Sequence, residues 1–267
     1  MQKTNLDKKT IEDFGTQWTK YSYTDGFFGS KDLLSDFIVP FNPDLFSDKV
    51  IADIGAGTGR FTLNLLEFGA SHVYALEPSK AVNVLKEKIR PYSNQVTIIN
   101  NTGDFLPHDL NLDYAISIGV IHHISSPLPV IDSVYAALKE KGKFVIWLYG
   151  KEGNYLYLCI VTPIRYICRY LPSFLISIIS NMLNFVLYFY MKLCKVFSFF
   201  PLSQYLNSVM SKLSWKKRTI VIYDQLAPAY AKYYSYQDCL NLMKQSKFKK
   251  YDITHRKGYS WVIIAEK

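Results

Sequence analysis

The sequence predicts an α/β fold: a doubly wound, mostly parallel seven-stranded sheet with an apolar helical insertion after the fifth strand. Three observations lead there. Apolar, β-branched runs alternate with segments of helical periodicity up to about residue 150, as a parallel sheet with crossover helices requires. The first run ends in a glycine-rich turn, Lys49-Val-Ile-Ala-Asp-Ile-Gly-Ala-Gly-Thr-Gly-Arg60, which opens directly into a helix-compatible segment, Phe61–Phe68. The alternation breaks from about Lys151 to Thr219, and a helix with two closely spaced strands completes the chain.

Each element has a local cause. Val50, Ile51 and Ile54 make a buried first strand, and the glycines after it leave backbone bare where a ligand can approach. His72–Pro78 reads as the second strand, ended by its proline. Ser79 caps a helix to about Ile89, with Val82, Leu85 and Ile89 on one face, and Pro91 stops it. Gln95–Asn100 is the third strand and Leu112–Gly119 the fourth. A helix from about Pro127 to Lys139 carries Val130, Val134 and Leu138 at helical spacing, Lys141–Gly142 turns the chain, and Lys143–Tyr149 is the fifth strand. Ser235 caps a helix to about Gln245. The strands near Tyr251–Thr254 and Trp261–Ala265 flank a Lys257–Gly258 turn, too short for a parallel crossover, so they form an antiparallel hairpin. The expected organisation is an N-terminal helical cap (1–44), a ligand-binding core (45–150), the insertion (151–219) and the end of the core (220–267).

Bulk properties narrow the class. A chain of 267 residues with 49% hydrophobic and 20% charged content suits one substantial globular domain with an elaboration. The four cysteines form no Cys-x-x-Cys pair and no Cys/His cluster has zinc spacing, so no metal site or disulfide framework is expected. The N-terminal segment lacks the apolar run of a signal peptide, and the cytoplasm is the expected compartment. The net charge of +9 is bunched at Lys212–Arg218 and Lys244–Lys257, which suits an anionic surface or simply a solvated face.

The insertion stands apart. Tyr170 to Met191 contains no charged residue and Val196 to Ser211 none either, a transmembrane candidate on hydropathy alone. Because both flanking strands belong to one sheet, the segment would have to cross an even number of times. A hairpin turning at Lys192–Lys195 would place two lysines on the far side, against the positive-inside bias. Ser173, Ser177, Ser180, Asn181 and Asn184 also interrupt the first run. Residues 155–215 are therefore expected to lie on the inner face of a membrane as amphipathic or re-entrant helices, or to form an apolar lid. A self-packed helical subdomain is the plain alternative.

Glu77 closes the second strand, 24 positions after Asp53. A carboxylate there can accept hydrogen bonds from both hydroxyls of a ribose lying over the strand ends. Asp104, in Thr102-Gly-Asp-Phe-Leu-Pro107, is placed to accept from an adenine amino group, and Phe105 to stack on the ring. These residues, with Asp53-Ile-Gly-Ala-Gly-Thr-Gly59 and Ile118-Gly-Val-Ile-His-His-Ile124, resemble the class I S-adenosylmethionine-dependent methyltransferases over about residues 45–150 and 220–267. The resemblance implies S-adenosylmethionine as cofactor. Gly55, Gly57 and Gly59 would line its methionine moiety, Glu77 would hold the ribose, and Asp104 with Phe105 the adenine, with Asp53, Ala56, Pro78, Gly119 and the capping Trp18 completing the cofactor site. Phe14-Gly-Thr-Gln-Trp18 is similar to the segment that caps the cofactor in related enzymes, and Tyr223-Asp-Gln-Leu-Ala-Pro228 to a substrate-side segment. His122 matches a base histidine of plant-type O-methyltransferases and is expected to be the catalytic base, with His123 structural.

The expected activity is methyl transfer to a small-molecule or lipid-linked acceptor at a hydroxyl. RNA methylation competes because of the basic clusters. Enzymes acting on base amines usually carry Asn/Asp-Pro-Pro-Tyr/Phe where this chain has Gly119-Val-Ile-His-His, and no cysteine lies near that position, so nucleic acid is disfavoured. A non-catalytic membrane-binding module of the same fold is the third reading. Oligomeric state is not legible in the sequence.

Overall fold

The computed structural model describes residues 5–267. Helices α1 (Asn5–Lys20) and α2 (Lys31–Ile38) precede a seven-stranded sheet of order β3-β2-β1-β4-β5-β7-β6. Strands β1 (Val50–Ile54), β2 (His72–Leu76), β3 (Val96–Ile99), β4 (Leu112–Ile118) and β5 (Leu138–Tyr149) run parallel. Of the closing pair, β6 (Lys250–Arg256) and β7 (Ser260–Glu266), the latter slots between β5 and β6, antiparallel to both. Helices α3 (Arg60–Glu67), α4 (Val82–Ile89) and α5 (Leu128–Ala137) are the crossovers.

Both faces of the sheet are buried, which is why its strands read as near-continuous apolar runs. Ala52, Ile54, Phe144 and Ile146 pack toward Val130, Ile131 and Val134 of α5. Ile51, Val73 and Val145 pack on the other face, toward Leu65 of α3 and Leu85 of α4. The strand order reverses between β1 and β4, and such a reversal opens a crevice at the carboxyl ends of the strands.

Two boundaries differ from the periodicity. The α5 helix stops at Ala137, not Lys139, because Leu138 already pairs with Leu112 of β4, and Lys139 forms an ion pair with Asp113. Leu138 continues the helical spacing of Val134, but strand pairing overrides that propensity. The Lys141 turn, at φ 64°, then returns the chain to pairing at Lys143. Ser79 starts a turn, its hydroxyl accepting from the Ala81 amide at 3.1 Å, and the helix proper begins at Val82.

The inserted helices α6 (Tyr155–Cys168), α7 (Ser173–Val196), α8 (Ser203–Ser208) and α9 (Trp215–Leu226) cover the carboxyl edge of the sheet together with α1. The α7 helix runs unbroken through Lys192. Asn184 ties it to α9, donating to the Thr219 hydroxyl at 2.9 Å and accepting from Arg218 Nε at 3.2 Å. The α9 helix crosses residue 219, where the sequence suggests the insertion ends, because Tyr223 and Leu226 pack against Val161 and Ile176.

The last helix, α10 (Tyr236–Gln245), opens with a full capping box: Ser235 Oγ accepts from the Asp238 amide, and Asp238 accepts from the Ser235 amide at 2.9 Å. Ser235→Ala is expected to cost about 1 kcal/mol. Denaturant titration checks it, and a midpoint equal to wild type would reject the cap as a stabilising element.

Candidate active site

A cavity of about 700 Å³ lies over the carboxyl ends of β1, β2, β4 and β5. Gly55, Gly57, Glu77, Asp104, Gly119 and His123 form one end. Phe14 and Trp18 of α1 roof it, and apolar side chains of α6 to α9 form the far end. The size falls within the range of small-molecule sites.

The wall is shaped for a ligand at the glycine end. Gly57 sits at φ 57°, and a Cβ there would meet nothing nearer than Trp18, at 3.9 Å. Gly119, at φ 80°, has nothing within 4 Å of a Cβ position. Space beside these two backbones is therefore left for something other than protein. Glu77 spans the turn: one carboxylate oxygen accepts from the Gly57 amide at 2.8 Å and the other from the Ser79 amide at 2.8 Å. Those bonds hold its carboxylate against the cavity with lone pairs to spare. Three buried polar atoms on lining residues, Thr102 Oγ1, His123 Nε2 and Trp147 Nε1, have no protein partner. Buried groups without partners are costly, so all three fit a polar ligand. Ala56, Pro78, Asp104 and Trp18 also line the cavity.

Four of the expected site residues stand elsewhere. Asp53 is buried behind the turn, where it accepts from Thr62 Oγ1 at 2.7 Å and so holds α3. Gly59 gives room to a neighbour: a Cβ there would stand 2.7 Å from Leu85 Cδ1. Its bare backbone serves helix packing at φ 81°. Phe105 is 57% exposed and turned away from the cavity, in a shallow surface dent with His108. His122 is fully buried and off the cavity wall, its ring against that of Tyr149 at 3.8 Å. Burial, then the neighbouring His123 and Arg165, holds its pKa well below the usual imidazole range, outweighing its contact with the Trp147 backbone. His123 is the histidine that faces the cavity. Its Nδ1 lies 2.8 Å from the Tyr230 carbonyl, so Nδ1 carries the proton and Nε2 its lone pair. Burial depresses its pKa to about 3.

Asp53 also makes a pH prediction. Burial, reinforced by the Glu77 charge, raises its carboxyl to about 6 against the lowering effect of the Thr62 bond. A raised carboxyl stabilises the fold fully below its unfolded value of 3.8 and loses that contribution as pH rises through about 6. Asp53→Asn should therefore gain on wild type by about 2–3 kcal/mol between pH 4 and pH 7. Urea unfolding across that range tests this; a constant difference would reject it.

The far end holds residues that spacing alone did not single out. Asp224 is deep in the protein but keeps part of its surface toward the cavity. Gln17 Nε2 donates to its Oδ1 at 3.0 Å and the Tyr149 hydroxyl to its Oδ2 at 3.4 Å. Burial raises its pKa, the Gln17 bond opposing. Gln225 accepts from the Tyr233 hydroxyl at 2.6 Å and the Tyr157 hydroxyl at 3.1 Å, while Arg165 Nε donates to the Gln225 carbonyl at 2.6 Å. Back at the glycine end, Arg60, the first residue of α3, lies between the rings of Phe28 and Phe61 at 4.2 and 4.1 Å and adds a cation to the wall. Its pKa, lowered by burial to about 10, leaves it charged at neutral pH. The only sequence signals for these were Asp224's place in the Tyr223–Pro228 segment and Arg60's place after the glycines.

Strand order, the glycine turn and the Glu77 carboxylate resemble those of the class I S-adenosylmethionine-dependent methyltransferases, a class whose cofactor is S-adenosylmethionine. Residues 52–144 match the family described as a methyltransferase domain. Among curated relatives, the chain is 33% identical over 99 residues to protein arginine N-methyltransferase 1 of Oryza sativa subsp. indica, covering 36% of this chain and 21% of that one. It is 30% identical over 110 residues to tRNA U34 carboxymethyltransferase of Helicobacter pylori, covering 39% and 42%. The chain thus spans less than half the length of either. The fold is shared with the 1,6-didemethyltoxoflavin-N1-methyltransferase of Burkholderia thailandensis, solved with bound 1,6-didemethyltoxoflavin and S-adenosylhomocysteine. That match has a TM-score of 0.55 and 15% identity over 96% of this chain and 85% of the other.

Proposed function

We propose that this protein transfers the methyl group of S-adenosylmethionine to a hydroxyl of an apolar small-molecule or lipid-linked acceptor. The observation that carries this reading is the continuity of one cavity from the glycine turn to the apolar side chains of the insertion. When bound, the cofactor supplies an electrophilic methyl on a sulfonium that leaves as a neutral thioether. The chain has to align a nucleophile behind that methyl and exclude water.

Glu77 would accept from the ribose hydroxyls, Asp104 from the adenine amino group, and Arg60 would hold the cofactor carboxylate. Phe14 and Trp18 shut out water from above. A hydroxyl must lose its proton as its oxygen bonds to carbon. Asp224 takes that proton, since its raised pKa makes it a better acceptor than His123, whose pKa burial has depressed. His122 takes no part, because its ring lies behind the cavity wall against Tyr149.

A fractionated cell extract incubated with methyl-labelled S-adenosylmethionine tests the acceptor class. Label is expected in the organic-solvent fraction, in a linkage that resists mild base. Label confined to precipitated RNA or protein would reject the reading in favour of the classes that the two curated relatives' names describe.

A further inference from the structure

The α7 helix is amphipathic in the opposite sense from a helix bathed in water. Its protein-facing side carries Ser180 and Asn184 beside Ile176, Met191 and Cys194. The outward side presents Phe174, Ile178, Met182, Phe185, Phe189 and Val196, each more than half exposed. Their spacing of three, four or seven residues, with the half-exposed Leu193 between Phe189 and Val196, makes one continuous stripe along the helix. The α6 helix adds Tyr155, Ile160 and Ile167, Tyr170 follows just after it, and Phe199, at 79%, is more exposed still. Contiguous apolar surface of this kind marks an interaction face.

Charge decides what covers it. Residues 153–223 contain no Asp or Glu and eight Lys or Arg. Arg169, Lys192, Lys195, Lys212 and Lys216 are exposed, and none is in an ion pair among the described residues. A second copy would set the same acid-free surface against itself, because a two-fold interface is self-complementary. Anionic head groups complement it, with the long Lys and Arg stems lying along apolar surface and their charges at head-group level. At 24 residues α7 is long enough to cross a bilayer. Its Asn184 side, however, is bonded to Thr219 and Arg218 of α9, so it lies along the protein with only its outer stripe free.

We propose that the outer face of α6 and α7 docks on an anionic phospholipid bilayer and turns the cavity mouth toward the lipid. Leu156, Ile160 and Val186 belong to both features: they line the cavity and are more than half exposed. An acceptor dissolved in the bilayer then enters between α6 and α7 without crossing water. Delivery rests on the cavity being the acceptor site; docking does not.

The full chain and a Phe174→Ser/Phe185→Ser/Phe189→Ser variant are compared by co-sedimentation with mixed phosphatidylcholine–phosphatidylglycerol vesicles and with phosphatidylcholine alone. None of the three residues lines the cavity, so calorimetric S-adenosylmethionine affinity and thermal unfolding serve as folding controls. Wild type is expected to bind the mixed vesicles at least about tenfold more tightly than neutral ones. The variant is expected to lose at least about tenfold on the mixed vesicles, with cofactor affinity unchanged. Wild type left in the supernatant, or a variant that sediments equally, would overturn docking. Wild-type dimers that the variant dissociates, seen by ultracentrifugation without vesicle binding, would overturn it in favour of a second copy. Vesicle binding by a chain that fails to bind S-adenosylmethionine supports docking and rejects the methyl-transfer reading.

Discussion

Gly57→Val is expected to abolish useful S-adenosylmethionine binding, weakening it by at least about 100-fold, or about 2.7 kcal/mol. The side chain would project into the space beside the turn that no protein atom occupies within 3.9 Å, the side from which a ligand backs onto the Gly57 amide. The valine would also have to hold φ 57°, a conformation that costs an ordinary L-residue about 1–2 kcal/mol and a β-branched one more. Relaxing that strain would move the Gly57 amide off Glu77 and loosen the carboxylate. Titration calorimetry reads the affinity, and thermal unfolding separates local strain from global loss. A variant that binds within about threefold of wild type, against the 100-fold expected here, would show that this turn does not cradle the cofactor.

Asp224→Asn is expected to lower the turnover of a hydroxyl acceptor by about 100-fold or more. The amide keeps the shape of the site and one acceptor for Gln17, but it cannot take a proton. Cofactor affinity should hold, because Asp224 lies at the acceptor end. The wild-type rate should rise with pH as the carboxyl, its pKa raised by burial, loses its proton, and that limb should vanish in the variant. Asp224→Glu should recover part of the rate and restore the limb at a shifted position. Equal turnover in the Asn variant, or a pH limb that survives the change, would remove Asp224 from the base role. Loss of cofactor affinity would reassign it to the cofactor end.

Local patterns predicted the strands well because their information is short-range. Val50–Ile54, His72–Leu76 and Leu112–Ile118 are apolar runs bounded by turn residues, and each became a central parallel strand. The Glu77 position was legible for the same reason: it ends a strand next to the strand of the glycine turn. Asp53 shows the limit. It matches the motif as closely as Glu77 does, yet strand alternation points it at Thr62 of α3 instead of the cavity. His122 and His123 are adjacent and chemically identical, and spacing could not tell which ring would enter the cavity. The loop's closure on Tyr230, more than 100 residues away, made that choice. Leu138 obeyed helical spacing and joined a strand, since Leu112 offered its backbone a partner.

The order of residues along the chain determined the parallel sheet, the bare turn after its first strand and the acid after its second. Each of these depends on neighbours a few positions apart. It also determined that the stretch before Asp224 would be apolar and free of acids. Three-dimensional packing alone decided that Asp224, held by Gln17 from 207 positions away, shares a cavity with the glycine turn. Packing likewise decided that the apolar stripe of α7 faces outward. Both outcomes follow from which surfaces meet when distant helices close over the sheet, and no local period of the sequence encodes that meeting.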